Sequence, residues 1–430
     1  MTWHKIPGLK CMVVSALLFA VFLFQHAAAQ GPDRLTFSVR VSLIAFPIET
    51  MSADLEGLSA PLLPLMEDLG DHLAAMAREL GYLELVDDPR QADVEVEIEV
   101  GVDRGGSEAE LFTARIGLRY LMSVERNALE LSVRKEREMF VAEVENRLFS
   151  HLTLIALNRG VNAPLYQLTF VDAWDEQPTF SPDGQRLMII SERFDANRNL
   201  LTFDIAQLSQ TSHTFPGTEF FPVYSPDGGE VAFQASKDGS WDIWVRDVST
   251  GETTRLTGYG ADEIQPTWSP DGQRIAFASN RSGVWDIWAM DSDGGNPRWL
   301  THSPARDLSP SWSNRNQIAY VSDRSGNFDI WILDLGGGDQ VNITDTFEIS
   351  EFDPSWSPDG RWLAISANRA SPSNFDIWVI DPIGNYLERV TEDPAEDYHP
   401  AWSPDGRMIV FQSFRHRNAD IFIKRLGDGM

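Results

Sequence analysis

From residue 178 onward, short apolar runs alternate with turn residues on a fixed period. The copies read PTFSPDGQRLMIIS from Pro178, PVYSPDGGEVAFQAS from Pro222, PTWSPDGQRIAFAS from Pro266, PSWSNRNQIAYVS from Pro310, PSWSPDGRWLAIS from Pro354 and PAWSPDGRMIVFQS from Pro400, with starts 44, 44, 44, 44 and 46 residues apart. The third copy shows the elements. Pro266–Ser269 and Arg274–Ser279 flank Ser269-Pro270-Asp271-Gly272, in which Pro presets φ, Asp closes the turn and Gly takes the left-handed position. Asp286–Asp291 is a third strand and Arg298–Thr301 an outer one. Four strands per repeat and six repeats predict a six-bladed β-propeller. The innermost aromatics Phe180, Tyr224, Trp268, Trp312, Trp356 and Trp402 are placed to pack between blades.

The sixth copy ends at Asp420–Arg425 with no run left for an outer strand. A substitute lies upstream. Tyr166-Gln167-Leu168-Thr169 ends nine residues before Pro178, as Leu300-Thr301 does before Pro310 and Val390-Thr391 before Pro400. The segment Tyr166–Phe170 is therefore expected to complete the last blade and remove an exposed edge.

Residues 30–163 lack the period and read as a small α/β domain. Phe37, Val39, Val41 and Leu43 alternate with polar residues, as do Val94, Val96, Ile98 and Val100, and Phe112–Val124 and Ala128–Lys135 are further strand candidates. Leu65, Leu69, Leu73, Met76 and Leu80 follow helical spacing and end at Gly81, and Phe140, Val144, Leu148, Leu152 and Ile155 form a second helical stripe. The fold class expected is mainly β: an α/β domain, a linker at 158–164, and a propeller over 164–430.

Residues 1–29 read as an export signal. Lys5 and Lys10 precede the apolar run Met12–Phe24, and Ala27-Ala28-Ala29 supplies a cleavage site near Ala29, which predicts a periplasmic chain with no membrane span. The one cysteine, Cys11, falls in this segment, so neither disulfides nor thiol chemistry is expected of the mature chain. Removal of the signal takes two of 35 bases and none of 64 acids, leaving 33 bases and a net charge of −31. Such a charge argues against nucleic acid or anionic lipid as partner and for a basic protein segment or a divalent cation.

The export signal, the α/β domain with its Leu85-Val86-Asp87-Asp88 and Gln91-Ala92-Asp93-Val94 segments, and the repeats built on Trp-Ser-Pro-Asp-Gly and Asp-Ile-Trp together resemble the TolB family of the Tol-Pal envelope system. The resemblance covers nearly the whole mature chain. It implies a monomeric, non-enzymatic adaptor that binds a Pal-like lipoprotein through its propeller and TolA through a flexible N-terminal tail. Only Gln30–Arg34 precede the first strand here, which leaves no long tail.

Aligning the copies with one another exposes charges in register. Three residues before each starting proline stands an acid: Asp175, Glu219, Glu263, Asp307, Glu351 and Asp397. Fourteen or fifteen residues after it stands a base: Arg193, Lys237, Arg281, Arg324, Arg369 and Arg415. Asn199, Asp242, Asp286, Asp329, Asp376 and Asp420 open the third strands. All three sets belong to one face of the ring. Ion pairs that position loops are one reading; the other is a negative mouth, eleven carboxylates against six bases, that holds Ca²⁺ or receives a basic extended peptide. His399, next to Pro400, is the one histidine placed as a ligand on that face. Asp195–Asn199 mimics the start of a calcium loop but lacks its glycine and distal glutamate.

No Gly-x-Ser-x-Gly elbow, His-Glu-x-x-His motif, cysteine pair or glycine-rich phosphate loop occurs. The sequence therefore favours a scaffold that binds a protein at the propeller mouth. The alternative is a propeller enzyme or sensor acting on a small ligand or glycan in the channel, assisted by a metal.

Overall fold

Strand-forming runs of six or seven residues joined by tight turns leave each repeat no option but an antiparallel sheet, and one such sheet cannot bury both faces alone. Six of them ring a channel in the computed structural model. It describes residues 163–427 except 171–172, 194–196, 238, 259 and 417. Earlier in the chain it describes five strands, a 22-residue helix, the helical residues 73, 75–78 and 80, and side chains only for some of these and for 148–158. The expected signal (1–29) and linker residues 159–162 lie outside the described residues, as do most of the expected helix over 65–80 and residues 195–196 of the calcium-like loop. The chain divides into two units that meet between Ala163 and Pro164.

In the first unit, β1 (Leu35–Leu43), β2 (Leu83–Leu85), β3 (Val94–Asp103), β4 (Leu111–Tyr120) and β5 (Leu129–Lys135) form one sheet in the order β2-β1-β3-β4-β5. β1 runs parallel to β2 and β3, and the remaining pairs are antiparallel. Helix α1 (Arg137–Asn158) lies against β4 and β5 and buries Leu148, Leu152 and Ile155 of the predicted stripe. The three-residue β2 falls in a segment with no alternating pattern long enough to announce it.

In the second unit, β6 (Leu165–Gln167) precedes the six blades. Their innermost strands are β7 (Asp175–Phe180), β11 (Thr218–Tyr224), β15 (Glu263–Trp268), β19 (Asp307–Trp312), β23 (Glu351–Trp356) and β27 (Asp397–Trp402). The first five blades pair their strands in sequence order, inner to outer. The inner aromatics are buried against the preceding blade: Trp402 packs with Ala364, Ile377 and Val379, and Trp356 with Ala319, Val321 and Ile332. The Ser-Pro-Asp-Gly turns sit on the opposite face. Gly184, Gly228, Gly272, Gly360 and Gly406 adopt φ of 67 to 72°, the left-handed region that only glycine enters freely. In the fourth blade Asn316 takes that role at φ 61°, so the Ser313–Asn316 variant is a turn of the same kind.

The sixth blade is closed from upstream. Its third strand, β29 (Asp420–Arg425), pairs with β6 through Phe422↔Gln167, Ile423↔Tyr166 and Lys424↔Leu165. The strand is centred slightly earlier than the expected Tyr166–Phe170, and Leu168 extends it by donating its N–H to Ile421 O. Thr169 accepts the Ile421 N–H at 2.9 Å and donates to Asp420 Oδ1 at 3.0 Å. The outer-strand threonines Thr257, Thr301, Thr344 and Thr391 accept the equivalent N–H in their blades. Thr169→Val leaves that amide and the buried Asp420 each short of a partner, and the expected cost is about 1–3 kcal/mol, read as a lower urea midpoint with unchanged slope.

Candidate functional site

In every blade the loop before the inner strand and the loop between the second and third strands share one face, here termed the entry face. The sequence-aligned charges do meet there, but inside the protein. Asp175, Glu219, Glu263, Asp307, Glu351 and Asp397 are each 0% exposed, and the five third-strand aspartates are buried as well. This corrects the expected negative mouth: eleven carboxylates are present, yet none is displayed. The physical reason is that a carboxylate buried at the start of the inner strand must be met inside the protein by a cation or by hydrogen-bond donors.

Four blades supply that cation from the expected base. Arg193 donates to both oxygens of Asp175, Arg324 Nη2 to Asp307 at 2.7 and 2.8 Å, Arg281 Nη2 lies 3.1 Å from Glu263, and Arg415 Nη2 donates to Asp397 at 3.2 Å. Each guanidinium also covers aromatic rings: Arg324 lies 4.4 Å from the Trp331 centroid and Arg281 4.7 Å from that of Trp288. The tryptophan of Asp-Ile-Trp thus forms one wall of the arginine slot. The third-strand acids bind outward. Asp242 accepts from Arg255 and Thr257, Asp376 from Arg389, and Asp329 from Ser325, Asn342 and Thr344.

Two blades depart from this scheme. Lys237 stands over the Trp244 ring, while Glu219 accepts the Leu200 N–H at 3.0 Å. In the fifth blade Arg369 stacks on Tyr386 at 4.1 Å, and Glu351 accepts instead from Tyr386 Oη at 2.7 Å and Thr346 Oγ1 at 3.0 Å. Burial, only partly offset by those hydroxyls, raises Glu351 to about 7.

A second ring lies deeper. Each inner strand carries a bulge two residues after its acid, where Gln177, Phe221, Gln265, Ser309, Asp353 and His399 adopt φ of 50 to 56°. A left-handed non-glycine residue costs about 1–2 kcal/mol, and repetition around the ring marks it as built in. Side chains reach across blades to hold it: Gln177 Oε1 accepts the Phe221 N–H, Gln265 Oε1 the Ser309 N–H, and Asp353 Oδ2 the His399 N–H. His399 Nδ1 stands 3.1 Å from Asp353 Oδ1, so the candidate ligand is occupied by an ion pair. Burial opposes its charge, but the Asp353 carboxylate prevails and raises the imidazole above its ordinary range. Among the described residues, no three or more His, Cys, Asp or Glu side chains are grouped to hold a metal ion, Ca²⁺ included.

What the entry face does display is aromatic. Trp174, Phe414, Tyr398, Phe375, Phe352 and Phe328 form a continuous arc with successive centroids 5.8, 6.3, 5.1, 5.7 and 4.9 Å apart. All are half-buried or more open, Trp174 reaching 39% exposure. Phe220 and Trp241 make a smaller pair at 5.5 Å. Sequence reasoning missed this surface, although the aligned repeats contain a signal. The residue after the inner-strand acid is apolar in five copies (Phe220, Ile264, Leu308, Phe352, Tyr398), and the residue before the third-strand acid is aromatic in four (Trp241, Trp285, Phe328, Phe375).

The raised Glu351 makes a pH prediction. A carboxyl whose folded value exceeds its ordinary 4.5 contributes stability that is fully present below 4.5 and is lost as pH rises through about 7. Wild type should therefore lose thermal stability relative to Glu351→Gln as pH is raised across that window, read as a converging or crossing pair of Tm curves. Parallel curves would contradict the assignment.

A putative TolB from Agrobacterium tumefaciens is 23% identical in a match covering 59% of this chain and 91% of that one, with a TM-score of 0.48. TolB from Acinetobacter baumannii is 16% identical over 91% of this chain and 94% of that one, at 0.46. An oligogalacturonate lyase in complex with manganese is also 16% identical, over 61% and 93%, at 0.46. No curated protein matches. The TolB β-propeller domain family, PD40, matches residues 176–301 and 284–430, more than half of the sequence, and the chain belongs to that family.

Proposed function

We propose that the chain is a non-enzymatic scaffold of the cell envelope that binds a protein partner on the entry face of its propeller. The aromatic arc carries the reading. Half-buried Trp, Tyr and Phe side chains, held rigid by packing, are what binding hot spots are made of. Buried bridges hold the loops beneath them, so little ordering is left to offset binding. Membership of the TolB propeller family and the export signal expected over 1–29 support a periplasmic place, and a Pal-like lipoprotein of a Tol-Pal or related system is the partner to seek first. A small ligand or glycan in the channel is a second reading, favoured by the polar Asp353–His399 pair at the inner ring.

The test is a crosslinking capture from envelopes with the tagged mature chain. The expected result is a protein bound in stoichiometric amount and lost from a Trp174→Ser/Phe375→Ser variant that still melts cooperatively. Capture of no protein, with a glycan fragment bound to the purified chain, would replace this reading with the second.

A further inference from the structure

The arc is an incomplete version of a site the propeller builds repeatedly in its interior. In four blades a buried carboxylate and an aromatic wall enclose one guanidinium. The same chemistry recurs at the edges of the entry face, where Arg198 lies 4.8 Å over Phe220 and Arg306 4.8 Å over Phe328. Over Phe352, Phe375, Tyr398, Phe414 and Trp174 no cation stands among the described residues, yet the carboxylates are there. The loop before the fifth blade carries Asp345 and Glu348, and the loop before the sixth carries Glu392, Asp393 and Glu396, with no Lys or Arg in either. Asp345, Glu348 and Glu392 are exposed, and Phe347 between the first two is 92% exposed. Of the nearby bases, Arg415 is engaged with Asp397 and Asp393, and Arg369 with Tyr386.

Building on the protein-binding reading, we infer that this sector, from the fifth blade through the sixth to Trp174, takes an extended peptide segment in which Arg or Lys alternates with apolar residues. The apolar side chains, on one side of the extended chain, seat on the arc, and the cations, alternating to its other side, reach the carboxylates of the acidic loops beside it. Spacing agrees: arc steps of 4.9 to 6.3 Å are close to the roughly 6.6 Å between same-side residues of an extended chain.

Three labelled peptides alternating Trp and Leu with Arg, Glu or Ser, titrated into the mature chain by fluorescence anisotropy, test this. The Arg peptide should bind about tenfold or more tighter than the Ser peptide, with the Glu peptide weakest. Glu348→Lys/Glu392→Lys should reverse that order. Glu252→Lys/Asp339→Lys, an equal charge change in exposed turns of the opposite face, should leave it in place, and Phe347→Ser should weaken the Arg peptide without altering Tm. Equal binding of the three peptides, no binding of the Arg peptide, or equal effects of the two charge reversals would overturn the inference. In envelope capture, a partner held undiminished by Glu348→Lys/Glu392→Lys defeats the inference and leaves the scaffold reading standing; capture of nothing defeats the reading itself.

Discussion

A carboxylate with no solvent exposure must find a counter-charge or hydrogen-bond donors inside the protein, and in this propeller that requirement recurs around the ring. The acid that opens each inner strand is fully buried, and in four blades an arginine from the neighbouring loop answers it while stacking on the third-strand aromatic. Removing either partner of a buried pair costs about 3–5 kcal/mol because the other is left desolvated. The bridge therefore fixes the loop between the second and third strands, and that loop, with the one before the inner strand, shapes the entry face. Where the bridge is replaced, by Tyr386 and Thr346 in the fifth blade, other donors satisfy the same acid.

Much of this was legible in the sequence because strand and turn chemistry are local. The period of 44 residues, the Ser-Pro-Asp-Gly turns and the expectation that the Tyr166–Phe170 segment completes the last blade follow from the repeats alone. The register of acid and base was legible too, but not its depth. Whether Asp307 faces water or Arg324 depends on the direction of one side chain at the start of a bulged strand, and a bulge breaks the alternation from which faces are read. The negative mouth was an error of that kind. The aromatic arc was missed for the opposite reason: Phe352 and Phe375 have the composition of core, and only three-dimensional neighbours tell a core aromatic from a rim one.

The left-handed inner ring shows how the channel is held. Six residues occupy a backbone region that costs energy, side chains of adjacent blades accept the amides of five of them (Gln177, Phe221, Gln265, Ser309 and His399), and the Asp353–His399 pair is the charged link in that belt. Inner belt, buried bridges and rim aromatics thus form three successive layers from channel to entry face, and the proposed function draws on the last of them.

The measurement that bears most directly on this division is a paired one on Asp175→Asn/Glu263→Gln: melting temperature, and capture of the partner at a temperature where the variant is folded. The account predicts a lower Tm with capture retained. Capture lost at an unchanged Tm would show that these carboxylates serve the partner and not the fold.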